Sequence, residues 1–270
     1  MKNTTRLILK DFVEKTFLIS TIMMFGLTGF LSCVSIPSSV VRTEYPRSDS
    51  RPPVDAFGLV MIQTFYTPDE CLPSEKYEEC LAIISHLPPV VQSSVGSGLL
   101  VKAKTKTVFL TAQHVCSPKD ETIYERDGIK INLVPVTKIF VRVQSGEEIH
   151  AEIEKEDEKK DLCALSLKKN FTRPIHWSRI PPVIGDKVYA MSAPMGINHP
   201  EMTLIFSGFY SGRIYSIHHY TIPTRPGSSG SIVLDKNFRG VGMLNAAYIN
   251  MESIGIGSGY QDIKDFLDSI

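Results

Sequence analysis

From Phe57 onward, turn residues divide the chain into short apolar runs, and that spacing limits the folds open to it. Phe57 to Thr67 is rich in β-branched and aromatic residues. Gly98 to Ala103 and Thr107 to Thr111 flank a Lys/Thr turn, and Lys138 to Val143 and His150 to Glu154 flank Ser145-Gly146. Lys187 to Ala190 leads to Pro194-Met195-Gly196. Phe206 to Ile214 and Tyr215 to Ile222 follow, and Ser231 to Leu234 and Val241 to Leu244 flank the turn from Asp235 to Gly240. Many short strands separated by turn signals predict a sandwich or barrel. The 18 Gly and 17 Pro are spread along the chain, as a turn-rich fold requires. No repeat of fixed period appears. Two segments read as helices: Ser74 to Ser85, and Tyr260 to Leu267, where Ile263, Phe266 and Leu267 share one face and predict docking on the barrel.

The 270 residues suit about two domains, or one large β domain. Lys and Arg number 29 and so do Asp and Glu, so the chain lacks the basic excess of a dedicated nucleic-acid binder. The same balance argues against an acidic, disordered chain. At 43% hydrophobic the chain can bury a sizeable core. None of the five cysteines forms a CxxC pair, which removes support for zinc fingers and thioredoxin-type chemistry. The odd count leaves at least one thiol free or modified. No metal site and no cofactor is expected.

Residues 16–41 carry no charge, and Lys2, Arg6, Lys10 and Lys15 precede them. Within that window Phe17 to Leu31 is apolar apart from scattered Ser, Thr and Gly. A basic start and an apolar core read as an export segment. It ends Phe30-Leu31-Ser32-Cys33, similar to the lipobox of bacterial lipoproteins, although Phe30 and Leu31 depart from the usual residues. Three fates stay open: lipidation of Cys33, an uncleaved anchor, or ordinary cleavage. The Ser/Pro-containing stretch after it reads as a tether. The expected organisation is therefore 1–33 signal, lipoprotein or anchor segment, 34–56 tether and 57–270 folded β-rich domain. The location expected is extracytoplasmic, at a membrane.

Three motifs carry chemistry. Arg225-Pro226-Gly227-Ser228-Ser229-Gly230-Ser231 precedes an apolar strand. A serine nucleophile needs a base and backbone N–H donors for the developing oxyanion, and flanking glycines let the chain turn to supply them. His114 ends the apolar run Phe109 to Thr111, and Asp161 opens Leu162-Cys163-Ala164-Leu165. Each alone has a plain structural reading: a loop, a packed histidine, a turn residue. The order His114, Asp161, Ser229 is what joins them, because it is one of the few chain orders that serine hydrolases use. No G-x-S-x-G elbow is present. Asp157 competes with Asp161, but it lies in a charged run that suits a solvated turn.

These stretches resemble chymotrypsin-fold (trypsin-like) serine proteases, and within them the bacterial high-temperature-requirement branch. The matching residues are Gly96-Ser97-Gly98 followed by Thr111-Ala112-Gln113-His114-Val115, then Asp161-Leu162-Cys163-Ala164-Leu165, Ile184-Gly185-Asp186-Lys187-Val188 and Pro226 to Gly230. The resemblance spans about residues 57–258. It implies an all-β fold of two packed six-stranded antiparallel β-barrels with a short C-terminal helix. It implies that Ser229 is the nucleophile, His114 the base and Asp161 its partner, with the N–H groups of Gly227 and Ser229 as oxyanion hole. Partners would be protein or peptide substrates and, through the N-terminal segment, a membrane.

Departures are Ser231 in place of the commoner Gly and a long insertion from Pro68 to Pro89, and the peptide-binding PDZ domain common in that branch is not expected. Pocket walls are expected from Pro223, Thr224, Leu244, Asn245 and Ala247. With no acid or histidine among them, small or medium apolar side chains are expected before the cut. Cys71 and Cys80 are expected to pair if the domain is exported. Cys116 and Cys163 each follow a triad residue by two positions, which allows either proximity or two buried free thiols. Two other readings stay open: a silent pseudoprotease used as a binding module, and an esterase on the same fold.

Overall fold

Strand pairing begins where the first apolar run begins. The structure, a computed structural model, describes residues 51–117, 120–169 and 173–270. A single 3-10 turn, Val54–Ala56, brings the chain into the fold, so the last residues of the expected tether already belong to it. The first sheet contains β1 Phe57–Cys71, β2 Val90–Lys102, β3 Thr107–Thr111, β4 Thr122–Arg126, β5 Ile129–Val143, β6 Glu148–Asp157 and β7 Leu162–Leu167. Its order is β1-β2-β3-β7-β6-β5-β4, and β1 also pairs with β5. That extra pairing closes six strands into a barrel, and β4 lies outside the ring.

The second sheet contains β8 Lys187–Ser192, β9 Leu204–Ile214, β10 Ile217–Tyr220, β11 Ser231–Leu234, β12 Gly240–Leu244, β13 Ala246–Tyr248 and β14 Met251–Gly257. Its order is β12-β11-β8-β9-β10-β14-β13. The N–H groups of Met243 and Asn245 donate to Ser258 O and Ile256 O, which brings the end of β12 back to β14 and rolls this sheet too. The fold is thus mostly β, with two barrel-like sheets as in chymotrypsin. The first barrel closes with six strands, as expected, and the second sheet contains seven.

Local pattern explains which faces turn inward. On β5 and β6, Ile139, Val141, Val143, Ile149 and Ala151 are buried while Glu148, His150 and Glu152 face out, the period of two that a strand imposes. The principal core runs from the first barrel into the second, where Tyr189, Met191, Ile232 and Met243 join it. The C-terminal helix, α3 (numbered after α1 Tyr77–Ile83 and α2 Gln113–Cys116), spans Tyr260–Asp268. Its Ile263, Phe266 and Leu267 enter that core on the face expected from their spacing.

The stretch Pro68 to Pro89 is less of a loop than its composition suggests. β1 continues to Cys71, with an irregular register at Pro68, which has no N–H to donate. β5 extends beside it, and α1 caps the resulting arm. Cys71 and Cys80 are joined by a disulfide, with Cα atoms 6.0 Å apart, and pack with Ile131 and Leu133 as a small separate core. Tyr215 and Ser216 form the turn between β9 and β10, so the expected strand from Tyr215 begins two residues later. The strands β4, β13 and β14 were not anticipated.

Candidate active site

Register alone brings the histidine and the aspartate together. β3 pairs antiparallel with β7, Thr111 opposite Cys163, so the residues just beyond the end of β3 face those just before β7. The chain leaves β3 into the four-residue helix α2, which carries His114. Asp161 lies in a left-handed turn, with φ of 53°. Asp tolerates that conformation better than most residues, because its short side chain bonds locally. His114 Nδ1 lies 2.9 Å from Asp161 Oδ2 and 3.0 Å from Oδ1, and the His114 backbone N–H donates to Oδ1 at 2.9 Å.

Burial raises the Asp161 pKa. Hydrogen bonds from the His114 ring and from the backbones of His114 and Gln113 outweigh it and hold the carboxyl below its ordinary value. With Nδ1 occupied as donor to this carboxylate, Nε2 is left as the acceptor. Behind the pair, Cys116 and Cys163 form a second disulfide that ties α2 to β7.

The serine loop sits on the seam between the barrels. Gly227 and Gly230 have φ of 92° and 88°, so only glycine sits there without strain. A Cβ on Gly230 would lie 2.2 Å from Ser97 O, and one on Gly227 would lie 2.5 Å from Ala193 O. Ser97 organises the loop from below. Its N–H donates to Ser229 O, its hydroxyl donates to Gly227 O, and the hydroxyl accepts from Ala193 N–H at 2.9 Å. The Met195 N–H donates to Pro226 O. A trans peptide points its N–H away from its carbonyl, so this bond turns the Gly227 N–H the opposite way. Among the described residues, neither Gly227 N–H nor Ser229 N–H has a partner.

The two adjacent serines differ. Ser228 is 1% exposed, and its hydroxyl accepts from Arg225 N–H. Ser229 is half-buried, and its hydroxyl donates to Asn245 O at 2.9 Å. No hydrogen bond joins it to His114. Asn245 also donates from Nδ2 to Ser258 Oγ and, at 3.4 Å, to Asp161 O.

A cavity of about 410 Å³ opens beside Ser229, lined by Thr224, Arg225, Ala246, Ala247, Tyr248 and Glu252 among others. Of the expected wall residues, Thr224 and Ala247 line it. Pro223 is exposed, Leu244 is buried in the core of the second barrel, and Asn245 bridges Ser229 and Asp161. An acid does stand here, contrary to expectation. Glu252 enters from β14, a strand the sequence pattern did not reveal. The contributions of Ser97 and Asn245 were missed as well. The Gly-Ser-Gly motif flagged Ser97, but its contacts with Ala193 and Gly227 lie 96 and 130 residues away.

Other residues singled out in the sequence have packing roles. His218 meets Tyr210 Oη at 2.9 Å, His219 meets Tyr248 Oη at 2.7 Å, and Trp177 stacks on Tyr260. Among the described residues no cluster of three His, Cys, Asp or Glu is placed to hold a metal ion. Cys33 and the Asn170-Phe171-Thr172 sequon lie outside the described residues.

No curated protein matches the chain. Compared with protein families, residues 96–243, more than half of the chain, match the trypsin-like peptidase domain. That span contains His114, Asp161 and Ser229 as well as the seam that Ser97 organises. The chain therefore belongs to the trypsin-like peptidase domain family, a family of serine proteases that act on proteins and peptides.

Proposed function

We propose that this protein is a serine endopeptidase of the high-temperature-requirement kind, with Ser229 as nucleophile, His114 as general base and Asp161 as its orienting partner. The observation that carries the reading is the His114–Asp161 pair together with a serine loop in which, among the described residues, the Gly227 and Ser229 N–H groups have no partner. In the reaction His114 Nε2 takes the Ser229 proton as Oγ attacks the substrate carbonyl carbon. The oxyanion gathers the two N–H groups, each worth about 3–4 kcal/mol in such sites. His114 returns the proton to the leaving amine, and water releases the acyl group by the same steps.

One observation favours a second reading. The Ser229 hydroxyl donates to Asn245 O and not to His114, which leaves room for a silent peptidase that only binds its partner. Fluorophosphonate labelling of the purified protein decides between them: label on Ser229 supports the enzyme, and no label supports the binding module.

We further infer that the catalytic domain lies outside the cytoplasm and is tethered by the N-terminal segment. The uncharged window 16–41 after basic residues supports this, as do two disulfides, which persist in oxidising compartments. Among the described residues no helix is long and apolar enough to cross a membrane. Cell fractionation of the wild type and Cys33→Ala tests the tether. A lipoprotein loses lipid labelling in the variant, an uncleaved anchor is unaffected, and full-length protein in the soluble cytoplasmic fraction overturns both.

A further inference from the structure

The cavity beside Ser229 contains a charged pair that the reaction itself does not use. Arg225, four residues before Ser229, forms an ion pair with Glu252 at the start of β14. The Thr224 N–H donates to Glu252 O at 2.8 Å, so the backbone under the glutamate is fixed to the opposite wall. Both side chains are about half exposed, at 56% and 44%, and both line the cavity. No other lining residue is charged.

We infer that Arg225 and Glu252 set the specificity of this pocket by neutralising each other, so that it accepts uncharged side chains before the scissile bond and rejects acidic and basic ones alike. The inference rests on the peptidase reading above. An acidic substrate side chain has to displace Glu252 from Arg225. The protein carboxylate competes at high effective concentration, because the Thr224–Glu252 backbone bond holds it in place. Once substrate covers the cavity, the displaced carboxylate sits without a partner in a site partly closed to water, which is costly. The same argument, with signs reversed, applies to a lysine or arginine competing for Glu252. Rejection of wrong partners by an internal pair is specificity through an unfavourable alternative rather than a better contact.

Removing one member frees the other, and that gives the test. The full chain, Arg225→Gln and Glu252→Gln are compared on quenched peptides that differ only in Leu, Glu or Lys before the cut. Labelling of Ser229 by a fluorophosphonate is followed in parallel. In the wild type kcat/KM for Leu exceeds that for Glu and Lys by about 10-fold or more. Relative to Leu, Glu252→Gln gains about 10-fold for the Glu peptide only, and Arg225→Gln gains about 10-fold for the Lys peptide only. A wild type that prefers Glu or Lys overturns the inference, and so do labelled variants with unchanged selectivity. A wild type that is neither labelled nor cleaves any peptide overturns the peptidase reading, and the role of the pair falls with it.

Discussion

Cys116 and Cys163 are bonded to each other, and each stands two residues after one member of the His114–Asp161 pair. The bond therefore ties the helix that carries the base to the strand that follows its partner. It closes a loop of 47 residues, and loops of that size give disulfides worth about 2–4 kcal/mol. Both sulfurs belong to residues buried in the main core. The double variant Cys116→Ala/Cys163→Ala should lose stability of that order in urea denaturation, with slower fluorophosphonate labelling well below its melting point. An unchanged midpoint would show that the bond adds nothing.

Ser229 and Ser228 should separate cleanly. Ser229→Ala should lower kcat by about 10⁴-fold or more while the circular dichroism spectrum and melting temperature stay near wild type. Ser228→Ala should keep the label and lose some stability, since its hydroxyl is buried against Arg225 N–H. Label retained in Ser229→Ala and lost in Ser228→Ala would reverse the assignment.

Gly227 tests the oxyanion geometry. A methyl group there meets Ala193 O at 2.5 Å and requires a φ of 92° from an L residue. Gly227→Ala should turn or shift the Pro226–Gly227 peptide and cost about 10²–10³-fold in kcat, the usual loss for one oxyanion donor, with a smaller change in KM. A variant with wild-type kcat would show that this N–H does not act.

His218 should make stability depend on pH. Burial holds its imidazole below the ordinary value of 6.5, with Arg213 and His219 adding to the effect and Asp262 opposing it. The unfolded chain then binds this proton more readily than the folded one. Stability is full above about pH 6.5 and falls as the pH drops below it toward the folded pKa. Melting temperatures between pH 7.5 and 5 should therefore fall more steeply for the wild type than for His218→Gln. Parallel slopes would exclude His218 as the source.

Much of this site is legible along the chain because its requirements are local. Gly227 and Gly230 flank the serine where the backbone must turn left-handed, and that need is visible in the residue types themselves. The order His114, Asp161, Ser229 can be read without coordinates, and so can the one-sided apolar face of Ile263, Phe266 and Leu267, which a helical period of 3.6 dictates. Strands with a period of two, such as that through Ile149 and Ala151, declare their faces in the same way.

What spacing does not encode is which distant segments meet. Cys116 has Cys163 as its partner because β3 lies beside β7, a pairing settled by burying both strands together. Ser97 reaches Gly227 and Ala193 only once the two barrels pack. Glu252 joins Arg225 in the cavity because β14 returns against the loop that precedes the nucleophile. Asn245, expected in the pocket wall, instead bridges Ser229 and Asp161. Sequence determined the chemistry that each short segment offers. Tertiary structure decided which of those groups share a cavity, because long-range strand register and barrel packing depend on the burial of the whole core rather than on any local run.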